Sequence, residues 1–318
     1  MKQSKTTLKE LTARYRAVLL KCALINAMMF VGIGVANADP LIVSENENIT
    51  ASAQKVYDKI EVNGGVLSFN NGEFMTAQIP EAREDISSIT NGAMSLSAAS
   101  IDINSAKLTI DNSELTIGTG SHLMSRTVEI KNGAELNLHS VNSGEISDRI
   151  AFEADSFTIS NSAVSMSGGG YGLVSGLEGI NITDSEITSN GTHIAYTAEE
   201  DDNSAPNPAL KLNSSSIFNV NGDVKVDAIS VSGDSAVFSR GKIILSDGAI
   251  NLNGRLYADV NATNSNISFN HSASRINGEL SGTGVNLTFN DNYLFSDINN
   301  KATLNTVKIA EGKTLNIG

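Results

Sequence analysis

Apolar and polar positions alternate in short triplets along most of this chain. Leu108-Thr109-Ile110 and Leu115-Thr116-Ile117 flank a polar corner, Asp111 to Glu114, so the pattern predicts strand, turn, strand. The unit recurs as Val128-Glu129-Ile130, Asn132-Gly133, Leu136-Asn137-Leu138, and as Phe157-Thr158-Ile159, Asn161-Ser162, Val164-Ser165-Met166. Further copies are Ile180-Asn181-Ile182 with Asp184-Ser185 and Ile187, Leu210-Lys211-Leu212 with Ser214-Ser215 and Ile217, and Ile243-Ile244-Leu245 with Asp247-Gly248 and Ile250-Asn251-Leu252. Asn264-Ser265 precedes Ile267-Ser268-Phe269, and Val307-Lys308-Ile309, Glu311-Gly312, Leu315-Asn316-Ile317 is the last copy. Weaker forms stand earlier, with turns at Asn63-Gly64-Gly65 and Asn91-Gly92. With Asn112, Asn132, Asn161, Asp184, Ser214, Asp247, Asn264 and Glu311 as markers, the spacings are 20, 29, 23, 30, 33, 17 and 47 residues. The local unit is strict and its period is not.

Short strands at such spacings, without helical periodicity, describe coils of a solenoid joined by links of variable length. The expected fold is all-β, a right-handed parallel β-helix following an N-terminal signal helix. An antiparallel sandwich or barrel has the same turn composition; the solenoid is preferred because one unit recurs along almost the whole chain. Each triplet should send its first and third residues inward and its middle residue outward. The middle residues Thr109, Glu129, Asn137, Thr158, Asn181, Lys211, Asn251 and Lys308 are all polar. Asn, Asp and Gly tolerate the left-handed backbone of a sharp corner, and Ser bonds to its own backbone there. By the same alternation Phe69, Phe157, Phe269 and Phe289 are core residues, whereas Tyr171, Tyr196, Tyr257 and Tyr293 are expected to be exposed.

The first 38 residues are of another kind. Six cations and one acid lead into an apolar run from Cys22 to Val35, which ends at Ala36-Asn37-Ala38. A basic segment, an apolar core and an A-x-A site form a secretory signal, so cleavage is expected after Ala38. The run falls short of the ~20 residues a membrane span needs, and no insertion of the mature chain into a membrane is expected. Cys22, the single cysteine, opens the apolar run rather than following it, which argues against lipidation and leaves residues 39–318 without thiol chemistry or disulfides. Those residues carry 16 cations against 34 acids, a balance of -18. Such a surface repels phosphate backbones and anionic headgroups, which excludes nucleic acid as a partner. The organisation read from the sequence is a signal peptide over 1–38, a cap region over 39–59 and a β-helix over 60–318 with a loop insertion near 198–209.

The signal ending in Ala36-Asn37-Ala38, the Asn/Ser/Gly-cornered triplets and the final VKIAEGKTLNIG stretch together resemble the passenger region of a type V autotransporter of the pertactin-like, β-helical kind. The resemblance covers most of the mature chain through short, compositional motifs. It implies a cell-surface or released protein of a Gram-negative outer envelope, adhesive or structural, with a host surface protein or glycan as partner. It also implies a C-terminal membrane barrel as translocator, which the sequence to Gly318 does not contain. A further module or a truncated, functionless remnant both fit the uncapped pattern at Thr314 to Gly318.

Catalysis has no foothold in the linear sequence. Gly233-Asp234-Ser235 is similar to a serine-nucleophile motif, but Ala236 and Val237 follow and no supporting His and Asp motifs stand beside it, so it reads as a turn. His122, His139, His193 and His271 lack metal-ligand spacing. Glu199, Glu200, Asp201 and Asp202 interrupt the repeat without the spacing of a calcium loop and form the candidate contact loop, since insertions on rigid scaffolds carry function. The glycine-rich stretch Ser167 to Gly179 lacks a phosphate-binding pattern. No cofactor, metal or catalytic residue is therefore expected. The competing expectation is a β-helical polysaccharide lyase or hydrolase, which requires carboxylates and basic residues facing outward together on adjacent coils.

Overall fold

The computed structural model describes residues 39–50, 54–76, 86–143, 149–197, 209–232, 235–295 and 298–317. The expected signal helix and Ala38 lie outside these residues. The described chain is all-β, with one large, almost wholly parallel sheet of 28 strands. Its register is that of a β-helix-like stack. Apart from one antiparallel hairpin, strands pair in parallel not with their sequence neighbours but with the corresponding strand one turn of chain later: Lys107–Asp111 pairs with Thr127–Lys131, and Glu114–Ile117 with Glu135–Leu138. Ser100–Ile103 pairs with His122–Ser125 in the same way. Three faces result; the first two are continuous ladders among the described residues, and the third runs to Arg275–Ile276, with Tyr293–Leu294 and Leu315–Asn316 as a separate parallel pair.

The alternation read from the sequence sets the inside. On the first face Leu108, Val128, Phe157, Ile180, Leu210 and Ile243 are all buried, as are Leu115, Leu136, Val164, Ile187 and Phe218 on the second. Phe69, Phe157, Phe269 and Phe289 are core residues as expected. Full burial of such side chains stabilises by about 1.5–3 kcal/mol each. Two copies depart from the expected pattern. Ile217 occupies an outward position opposite Glu186, and Phe218 takes the inward place opposite Ile187, because the corner before it holds three residues rather than two. Val307 and Ile309 do stack on Leu287 and Phe289, but they are 44% and 46% exposed, with no described coil over them.

The corner from the first face to the second is the most regular feature. Asn112 and Ser113 alone separate Asp111 from Glu114, and Asp184 and Ser185 alone separate Thr183 from Glu186. At this corner Asn91, Asn112, Asn132, Asn161, Asp184, Ser214, Asp247 and Asn264 all hold positive φ, between 46° and 59°. Seven of the eight sequence markers therefore occupy left-handed backbone, which Asn and Asp accept at the least cost among residues bearing a side chain. Glu311 does not. It lies beyond the second face, and the left-handed residue beside it is Gly312; the corner that follows Asn264 is at Gly284. The next residue is small and buried, as in Ser113, Ser162, Ser185 and Ser265. Ser185 Oγ donates to the Thr183 carbonyl (2.7 Å) and accepts from the Ser162 N–H (3.1 Å), joining one coil to the previous one. Ser113 and Ser265 repeat both contacts.

The expected cap region, Asp39 to Lys59, contributes strands in register with the first full coil: Leu41 lies opposite Ile60 and Asn46 opposite Val66. Glu47 stands opposite the buried Leu67 in the core column and is exposed.

Candidate functional site on the third face

The third face breaks the pattern of apolar-in, polar-out. Its strands Ile150–Ala154, Leu173–Ser175 and Ile194–Thr197 hold side chains buried on both sides. Outside the main core, Ile150, Val174, Ala195 and Ile229 form a second small apolar cluster, with Tyr171 at its edge. Here Val224–Ser232 turns back into Ser235–Arg240 as an antiparallel hairpin, placing Ile229 opposite Phe238. The Phe238 ring stacks on Tyr171 at 6.1 Å and 14°.

Register lines up titratable groups on this face. Asp102, Met124, Glu153, Val174, Ala195 and Asp227 follow one another at one outward column. In the neighbouring column Tyr171 pairs with His193. His122 Nε2 lies 3.6 Å from Glu153 Oε2 and has no hydrogen-bond partner of its own although it is buried. Tyr171 donates its hydroxyl proton to Asp227 Oδ2 at 3.1 Å. His193 Nδ1 accepts the Lys225 backbone N–H at 3.0 Å, which places the proton of the neutral ring on Nε2.

Burial shifts these groups. It pushes the Asp102 carboxyl above the usual carboxylate range, against the opposing hydrogen bond from Asn104 and the charges of His122 and Arg126. It raises Asp227 against the Tyr171 hydrogen bond, and raises the Tyr171 hydroxyl with the Asp227 charge adding to it. His193 is lowered, first by burial and then by Lys225. Asp102 and Glu153 lie two rungs apart, about 10 Å of sheet. That exceeds the spacing of about 6.5–9.5 Å between carboxyl groups in the water-admitting acid–base pairs of sugar-cleaving enzymes, and His122 lies on the intervening coil beside Glu153.

None of these groups was singled out as a site by the sequence. The candidate loop Glu199, Glu200, Asp201 and Asp202 lies outside the described residues; the chain leaves the third face at Thr197 and rejoins the first at Leu210. Of the Gly233-Asp234-Ser235 motif only Ser235 is described, at the start of the hairpin's return strand. Tyr196 and Tyr293, expected to be exposed, are buried, at 1% and 5%, and Tyr171 and Tyr257 are half-buried. The Tyr196 hydroxyl accepts the Lys242 N–H at 2.7 Å, which satisfies its polar atom inside the core. An open groove of about 440 Å³ lies elsewhere, along the first-to-second corner beside Asn91, Asn112, Glu114 and Glu135. Among the described residues no three His, Cys, Asp or Glu side chains converge as a metal site would require. Comparison of the chain with protein-family models, with curated proteins and with solved structures finds no match.

Proposed function

We propose that this chain is an exported, right-handed parallel β-helix of the autotransporter-passenger kind, displayed at a Gram-negative cell surface in an adhesive or structural role. The observation that supports this most is the pair of continuous parallel ladders of the first two faces with their aligned corners. They give a stack held by shared core and backbone pairing, with no cysteine in residues 39–318. The basic and apolar leader ending at Ala38 and the acidic balance of the remainder suit export and an aqueous surface. Expression of the full chain in a Gram-negative host tests the reading. The expected result is a mature N-terminus at Asp39, protease-accessible protein on the cells or in the medium, and increased attachment to host epithelial cells. A chain that keeps Met1 and stays in the cytoplasm would overturn it.

A second reading, a β-helical glycan-cleaving enzyme, has one observation in its favour. Asp102, His122 and Glu153 stand on adjacent coils, with the charge of Arg126 felt at Asp102. Release of reducing ends from soluble polysaccharides by the wild-type chain, abolished in Glu153→Gln, would establish this reading over the first.

A further inference from the structure

The outward middle position of the second face is Ser, Thr or Asn on every rung from Asn48 to Thr288, a column about 48 Å long at the ~4.8 Å pitch of paired strands. No charged residue interrupts it, in a chain whose residues 39–318 carry -18. In its C-terminal half the amides form ladders. Asn251 Nδ2 donates to Asn219 Oδ1 at 2.9 Å, and Asn219 Nδ2 donates to Glu186 Oε1 at 2.6 Å and to Thr188 Oγ1 at 3.2 Å. In the next outward column Asn253 donates to Asn221 at 2.8 Å and Asn221 to Asn190 at 2.9 Å. Asn221, Asn251 and Asn253, each donating once, still have a second N–H to offer, and Asn219, with both N–H groups engaged, still has a second lone pair on Oδ1. The array thus presents donors and acceptors at a fixed pitch on side chains that lose little freedom on binding.

We propose that this face, from Thr188 to Thr288, binds a neutral, linear polysaccharide whose chain runs along the stack. The proposal rests on the adhesive reading and names the ligand class. Sugar hydroxyls donate and accept, as the amide and hydroxyl column does. Ile217 and Ala249, in the column on the other side, offer apolar contact to the C–H faces of sugar rings. A protein partner would want aromatic, Arg or large apolar anchors, and the middle column has none. Anionic polymers are repelled by the overall charge, and cationic ones are drawn to the acids elsewhere rather than to this uncharged strip. The N-terminal half of the face is less suited, because Glu114 and Glu135 border it, whereas Glu186 borders only the first rung of the proposed stretch and is tied to Asn219.

The test is co-sedimentation of the full chain with insoluble curdlan, cellulose and chitin, with alginate beads and chitosan as charged controls. Expected is retention on at least one neutral polymer, unchanged by molar salt. N219K/N251K should lose about tenfold in affinity, as two forfeited hydrogen bonds imply, while N219S/N251S and T158K, the latter on the first face, keep most of it. All variants must show the wild-type thermal transition; if the lysine pair does not, the serine pair is set against N219V/N251V, which removes both polar groups, and the valine pair must lose the binding. Overturning results are no retention on any neutral polymer, equal retention by the polar-deleted pair, or preference for alginate or chitosan. Cells that display the chain and attach to host cells without any polysaccharide retention would sink this proposal and leave the adhesive reading standing. Loss of attachment as well would sink both.

Discussion

The first-to-second corner and the links around the third face solve the same problem, turning the chain between parallel ladders, in opposite ways. At the first, two or three residues do all the work on each coil: a left-handed Asn, Asp, Ser or Gly, and at the end of the corner a small residue whose backbone carbonyl accepts from the next coil, as Ser162 does from Glu186 N–H. At the second, link length is free. Arg126 alone joins Ser125 to Thr127, whereas the whole stretch from 198 to 209 joins Thr197 to Leu210. The side that fixes register carries little chemistry. The side that is free to vary carries the second apolar cluster, the hairpin and the buried carboxyls.

This contrast can be broken deliberately. The largest effect should come from one alanine inserted between Asn161 and Ser162, which would flip the following strand and push Val164 and Met166 toward solvent. About 3–6 kcal/mol should be lost, two side chains at about 1.5–3 each, as read by urea denaturation. The same insertion after Ser143, in the long link toward Ile150, should cost less than about 1 kcal/mol. Next comes the corner chemistry itself. Ser185→Ala strands the Ser162 N–H and should cost about 1–3 kcal/mol. Asn161→Val, at φ 46°, should cost about 1–2 kcal/mol where Asn161→Gly costs almost nothing.

Smaller effects should separate the faces by pH. Burial raises Asp102, so its contribution to stability is full below the ordinary carboxyl pKa and is lost as pH rises through the raised value. Asp102→Asn should therefore stabilise the protein at neutral pH and be neutral below the ordinary carboxyl pKa, as followed by thermal melts across pH. Asp291 has the opposite sign. Lys313 beside it, with the Asn292 and Ser272 N–H groups, holds it at about 2, so its contribution is present above the ordinary value and is lost as pH falls toward 2. The smallest change is expected for Lys131→Ala, which removes a partly exposed ion pair with Glu129 at 3.0 Å and should shift stability by about 0–1 kcal/mol.

The sequence made the corners legible because the left-handed backbone admits so few residues: Asn161, Asp184 and Asn264 announce themselves by type. Gly284 was missed because Gly282-Thr283-Gly284 offers no Asx marker, and Gly282 stands two residues away with positive φ as well. The alternation also gave the core, but it slipped at Ile217, where Ser214, Ser215 and Ser216 lengthen the corner by one residue. Tyr196, expected to be exposed, is buried because a backbone N–H of a later coil satisfies its hydroxyl. The third-face column was not legible at all. Asp102, Glu153 and Asp227 are brought into line only by register across links of unequal length, and nothing in the linear spacing encodes that alignment.

Rung-by-rung register holds the stack together, and distances along one outward column test it most directly. In the full chain carrying Cys22→Ser, cysteine pairs introduced at Ser68 and Thr188, and at Ser68 and Asn251, can be spin-labelled and measured by double electron–electron resonance. Five and seven rungs at ~4.8 Å predict separations near 24 Å and 34 Å, growing in equal steps per coil. Separations that fail to grow with the rung count, as in a sandwich or barrel, would contradict the stack.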